Sequence, residues 1–154
     1  MLVPPPLHPG ARVRVVAPSS PFDHALVRRG IAWLGERYHV EFDPRIFGAP
    51  GLLAGSDERR LSELNSALAD PGLAAVVAAR GGYGLTRIVP GIDLASLRRS
   101  PKWVVGFSDV TALHLEVARA GIVSLHAHNV AGLGRASAVR RKEWLDAVET
   151  PSAP

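Results

Sequence analysis

A chain of 154 residues with 47% hydrophobic and 21% charged content is long enough for one domain with its own core, and its lack of cysteine excludes disulfides, thiol catalysis and thiolate metal sites. Its net charge of +4 is scattered through pairs such as Arg28-Arg29, Arg59-Arg60, Arg98-Arg99 and Arg140-Arg141 with only 6% aromatic residues, which fits solvated helix faces and not a nucleic-acid groove. No apolar run approaches the roughly 20 residues that span a bilayer, and the proline-rich start has no signal-type apolar region, so the expectation is a cytoplasmic protein with no membrane partner.

Strand and helix patterns alternate along the chain. Residues 13–17 predict the first strand, 23–37 a helix and 38–42 a short second strand. Residues 43–55, rich in Gly and Pro, predict a loop long enough to border a site. Ser56 then has the chemistry of a helix N-cap, with Asp57 and Glu58 in the first turn and Leu61, Leu64 and Leu68 recurring on one face. Residues 73–79 form an apolar run that predicts a buried strand, and it ends in Arg80-Gly81-Gly82-Tyr83-Gly84. Helical pieces at 85–89 and 94–98 lead to a strand over 102–107, a helix over 109–120 and a fifth strand over 123–126. Residues 136–148 predict a last helix with Arg140, Arg141 and Lys142 exposed, and 150–154 read as a frayed tail or linker. Trp33, Trp103 and Trp144 are expected in the core or at its boundary. The alternation predicts an α/β fold: a mainly parallel sheet with helices on both faces, flavodoxin-like or a doubly wound three-layer sandwich.

The stretch Lys102-Trp103-Val104-Val105-Gly106-Phe107-Ser108-Asp109 carries the strongest chemical signal, because a buried strand runs directly into a Gly-x-Ser step that opens a helix. Such a corner pushes the serine out of the sheet, and the first N–H groups of the helix point at any anion that forms beside it. Ser108 is therefore a candidate nucleophile. A second reading stands beside it: Ser followed by Asp is also ordinary N-cap chemistry, and Val110 occupies the second glycine position of the five-residue elbow. The glycine loop supports the first reading, since ligands collect where the carboxyl ends of parallel strands open into a crevice and glycines let N–H groups approach an oxyanion. Taken alone, that loop is equally a simple turn.

Four segments in order resemble the LD-carboxypeptidases, the family of muramoyl-tetrapeptide carboxypeptidases and microcin-immunity peptidases. They are Val15-Val16-Ala17-Pro18-Ser19-Ser20, Leu53-Ala54-Gly55-Ser56-Asp57-Glu58-Arg59-Arg60-Leu61, the Arg80 to Gly84 loop, and Gly106-Phe107-Ser108-Asp109-Val110-Thr111-Ala112-Leu113. The resemblance spans roughly residues 12–132 and corresponds to a family member's N-terminal half. It implies a serine peptidase with a Ser-Glu-His triad that cleaves the bond from the L-centre of a diamino acid to a terminal D-alanine in murein peptides, during cell-wall recycling. Ser108 matches the nucleophile. The N–H of Asp109 and one from Gly81, Gly82 or Tyr83 match the oxyanion hole. The family's Glu and His lie in a C-terminal domain, so residues 1–150 are expected to form the nucleophile-bearing domain, inactive without that missing partner. The resemblance also suggests a homodimer.

No histidine here replaces the missing base. His114 lies six residues beyond Ser108, along the predicted helix, where reaching back is difficult. His126 and His128 stand where the family commonly has a His-Gly-Pro-like segment, and alternation puts them on one face; without a third ligand at suitable spacing they are read as structural or pocket-lining, with no metal and no cofactor expected. Two rival functions remain: a phosphate- or nucleotide-binding module built on the Gly81 to Gly84 loop, weakened because Arg87 stands where a third glycine is needed, and a noncatalytic interaction domain that has kept the fold.

Overall fold

Five short strands lie side by side in the order β2-β1-β3-β4-β5, where β1 is Arg12–Val16, β2 His39–Phe42, β3 Ala75–Ala78, β4 Trp103–Gly106 and β5 Leu125–His126, and every pairing is parallel. The computed structural model describes residues 1–48 and 51–151. The strand order is that of a flavodoxin-like doubly wound sheet, whose direction of winding reverses between β1 and β3.

The central strands are apolar on both faces because both faces are covered. Val15 pairs with Val77 and Val77 with Val105, a row fully removed from water that joins Val13, Ala75 and Trp103 in one core. That core is completed by α1 (His24–Gly35), α6 (Val130–Leu133) and α7 (Ala138–Glu149), through Val27, Leu34, Leu133 and Trp144. The alternate positions Val16, Val76, Ala78 and Val104 face a second core beneath α2 (Asp57–Ala69), α3 (Leu85–Ile88), α4 (Leu94–Arg99) and α5 (Thr111–Arg119). Burying each such valine contributes roughly 1.5–3 kcal/mol, so a charged residue at Val77 would break the sheet at its centre.

Helix starts follow the cap chemistry of the sequence. Asp23 accepts from Leu26 N at 3.0 Å, Ser56 from Arg59 N at 3.2 Å and Ser137 from Arg140 N at 3.4 Å. The predicted helix over 136–148 thus starts after its Ser137 cap and runs through Glu149. Thr150 is not frayed, for its N–H donates to Asp146 O at 3.0 Å; the tail expected at its end falls largely on residues 152–154, outside the described residues. The predicted 43–55 loop holds a 3-10 turn at Pro44–Phe47, and Ala49 and Pro50 within it also lie outside the described residues. The one-turn helix α6 was not foreseen, because four residues are too few to show a period.

Two arginine assignments are corrected. Arg60 belongs to no solvated face. It is fully buried: Nη1 donates to Pro18 O and to Gly84 O (2.9 Å), Nε to Gly55 O (3.3 Å) and Nη2 to Asp57 (2.5 Å). A guanidinium carries enough donors to satisfy three loop carbonyls and a carboxylate at once, which is what permits its burial. Arg141, expected exposed, is half-buried with its guanidinium 5.2 Å from the Trp33 ring centre and donating to Leu133 O. Lys102 is likewise buried, with Nζ 2.7 Å from both Leu68 O and Asp70 O at the end of α2; burial holds its pKa below the usual lysine value. Trp103 and Trp144 are buried and Trp33 lies at the boundary, as expected.

Candidate active site

Three loops meet above the carboxyl ends of β1, β3 and β4. The first follows β1 and places Ser20, whose Oγ accepts from Tyr83 N at 2.9 Å while its own N–H donates to Gly81 O at 3.3 Å. These bonds strap the glycine loop after β3 onto the loop after β1. Arg60 fastens the same two loops from below through Pro18 O and Gly84 O.

The glycine loop lies directly against Ser108. A Cβ on Gly81 would stand 2.8 Å from Ser108 Cβ, 2.9 Å from Phe107 O and 3.2 Å from Asp109 N, so any larger residue must displace one loop or the other. Gly82 meets a different demand, a φ of +104°, where a side chain is strained.

Ser108 has φ +66°, and among the described residues it is the one non-glycine with positive φ. Such a backbone costs of order 1–3 kcal/mol and persists only where its surroundings enforce it. Here they are identifiable. Gly106 O, two residues earlier, accepts from Ala127 N (3.1 Å) and from His114 Nε2 (2.9 Å), while the Asp109 carboxylate accepts from Leu85 N (2.8 Å) at the start of α3. The N-cap alternative for Ser108 fails, because the 3-10 turn Ser108–Val110 is capped from Phe107 without a side-chain hydrogen bond. The Ser108 side chain is exposed, and its hydroxyl makes no hydrogen bond among the described residues.

Uncommitted donors lie around the same spot. Asp109 is the second residue of its turn, so its N–H has no partner within that turn. The Gly81 and Gly82 N–H groups make no hydrogen bond among the described residues, whereas Tyr83 N–H is taken by Ser20. Of the three loop residues singled out from the sequence, Gly81 and Gly82 are thus the ones with an N–H to offer. Ser108 and both glycines line a cleft of about 480 Å³ with Arg80, Phe107, Asn129 and Arg135.

The histidines stand around this site without joining it. His114 donates through Nε2 to Gly106 O, so Nδ1 accepts from Ser124 Oγ at 2.8 Å; both nitrogens are occupied. Burial holds its pKa below the usual imidazole value, and its task is to anchor the end of β4. His126 and His128 both meet the Phe107 ring edge-on, at centroid distances of 6.4 and 6.3 Å, and line a neighbouring hollow with Trp144. Among the described residues no group of three His, Cys, Asp or Glu could hold a metal, and no helix is long and apolar enough to cross a membrane.

Sequence reasoning passed over Ser20, Arg60 and Asn129. Asn129 Oδ1 caps α6 by accepting from Gly132 N at 3.0 Å. Ser20 and Arg60 sat inside quoted motifs, but their partners lie 63 and 24 residues away, a pairing that only the fold reveals.

The family model described as the LD-carboxypeptidase N-terminal domain matches residues 13–127. A putative carboxypeptidase of Streptomyces coelicolor is 40% identical over 152 residues, covering 92% of this chain and 47% of the relative. The murein tetrapeptide carboxypeptidase of Pseudomonas aeruginosa is 33% identical over 127 residues, covering 80% and 41%. The crystal structure of muramoyltetrapeptide carboxypeptidase from Oxalobacter formigenes superposes with a TM-score of 0.77 at 28% identity, over 93% of this chain and 48% of that one. The chain spans about half the length of the relatives it matches.

Proposed function

This chain belongs to the LD-carboxypeptidase family as its N-terminal domain, and from that membership we propose that it supplies the nucleophile and oxyanion hole of a cytoplasmic serine peptidase that releases terminal D-alanine from murein tetrapeptides. The observation that carries this reading is Ser108: a serine held at positive φ where β4 ends, with a free hydroxyl and the Gly81 backbone packed against it.

Ser108 Oγ attacks the carbonyl of the bond to D-alanine. The oxygen of that carbonyl becomes an anion between the N–H of Asp109 and that of Gly81 or Gly82, donors already fixed by the strapped loops. One such donor is worth roughly 10²–10³ in rate, because it meets the charge only as it develops. The proton leaving Oγ needs a base that then returns it to the departing amine; water afterwards hydrolyses the acyl-enzyme. His114 is committed to Gly106 and Ser124, and the chain matches only about half of its relatives' length. We place the base, a histidine oriented by a glutamate, in the half that lies outside this sequence.

D-alanine release from a murein tetrapeptide tests this with three samples. The 154-residue chain should be nearly inert. The chain joined to its C-terminal domain should turn over, and Ser108→Ala in that enzyme should cost roughly 10³-fold or more in kcat. Robust turnover by the chain alone would move the base into it, and full activity of the serine variant would end the nucleophile assignment.

A further inference from the structure

The arginines beside Ser108 lack the counter-charges that several others in the molecule have. Arg12, Arg14, Arg37, Arg45 and Arg87 each pair with a carboxylate. Arg135, at the exit of α6, lines the serine cleft, and its side chain makes no hydrogen bond, ion pair or ring contact among the described residues. Arg80 lines the same cleft and has no carboxylate partner there either; Nη1 donates to Pro21 O at 2.6 Å. The one carboxylate lining the cleft is Asp23, which is engaged as the cap of α1. Two arginines therefore line the space beside Ser108 against a single acid that is already hydrogen-bonded.

We propose that Arg135, assisted by Arg80, binds the free carboxylate at the substrate's C-terminus and so makes the cleft select a terminal residue over an internal one. This rests on the peptidase reading of Ser108 and adds to it the group that defines the cleaved end. A carboxypeptidase must distinguish a carboxylate from the neutral amide that continues a chain. A guanidinium does this directly, because its planar fork fits two carboxylate oxygens and its charge has no counterpart on an amide. Asn129, whose Oδ1 is committed to Gly132, lines the same cleft. The carboxylate is bound alike before and during attack, so the contact acts on KM and leaves kcat nearly unchanged.

The experiment uses the chain joined to its C-terminal domain and two probes, a D-alanine-terminated murein tetrapeptide and the same peptide with its C-terminus amidated. The unaltered enzyme should prefer the acid. Arg135→Gln should raise KM for the acid by roughly 10- to 100-fold, the worth of a charge-assisted hydrogen bond, with little effect on the amide. Arg135→Lys should recover part of the preference, since it keeps the charge and loses the fork. Arg135 is exposed and unpartnered, so its replacement leaves folding intact, which thermal melting verifies. An acid-over-amide preference that survives in both Arg135→Gln and Arg80→Gln, or that the unaltered enzyme lacks, overturns this proposal even if Ser108→Ala is inactive. Full turnover by Ser108→Ala overturns the serine reading, whatever the arginine variants show.

Discussion

Two of the hollows lined by charged side chains are organised in opposite ways. The larger, about 710 Å³, lies between β2 and α2 and is lined by Arg14, Glu41, Asp43, Arg45, Arg59 and Glu63 among others. Its arginines stand in opposite-sign pairs, Arg14 with Glu41 at 2.7 Å, Arg45 with Asp43 at 2.5 Å and Arg59 with Glu63 at 3.3 Å, although Arg59 Nε and Nη1 and Glu63 Oε1 are buried without a hydrogen bond among the described residues. The smaller, at Ser108, holds a strained backbone, uncommitted N–H groups and arginines without acids. Size therefore does not mark the site. What marks it is positive charge without a counter-charge beside a backbone that the surroundings must hold in place.

The comparison breaks most sharply at Arg60, which holds the loops of the serine site from inside. Arg60→Met keeps comparable bulk but leaves the Pro18, Gly84 and Gly55 carbonyls unpaired, and should destabilise the protein by about 3–5 kcal/mol in urea unfolding. A loss below about 1 kcal/mol would show that the loops hold without it.

A smaller effect is expected at Gly81. Gly81→Ala must push Ser108 or Phe107 aside, costing about 1–3 kcal/mol in stability, and in the completed enzyme roughly 10²-fold in activity because the nucleophile shifts against its donors. Gly35→Ala is the control: nothing lies within 4 Å of the added methyl at the end of α1, and stability should rise by about 0.4–1 kcal/mol. Equal behaviour of the two variants would remove the close approach from the argument.

The paired hollow should respond least, and through pH. Hydrogen bonds from Arg12 and Arg14 hold the Glu41 carboxyl below its ordinary pKa of 4.5. Its stabilising contribution is thus present above that value and is lost as pH falls through the lower pKa of the folded state. Glu41 is a quarter exposed, so Glu41→Gln should cost under about 1 kcal/mol at pH 7, and the gap in melting temperature should close on acidification below pH 4. A gap that persists at low pH would mean that the side chain acts by packing and not by charge.

Much of this protein was legible before its fold was known, wherever the physics is local. The caps Asp23 and Ser56, the apolar runs of β3 and β4, and the glycine-serine corner all follow from interactions within a few residues. The sequence also placed the glycine loop beside Ser108, since both leave buried parallel strands at the same end of the sheet. It misread Arg60, because a charged pair in a helix looks the same whether the face beyond is water or three carbonyls contributed by distant loops.

By itself the sequence determined the alternating α/β pattern, the family motifs and the serine at a strand end. Tertiary structure alone decided that Ser108 is twisted to positive φ, that Tyr83 spends its N–H on Ser20 while Gly81 and Gly82 keep theirs, and that Arg135 lines the serine cleft without a carboxylate. The division has one physical cause. Periodicity and capping are settled within a turn or a strand, whereas strain, unpaired donors and unpaired charges depend on what the folded chain brings across from elsewhere.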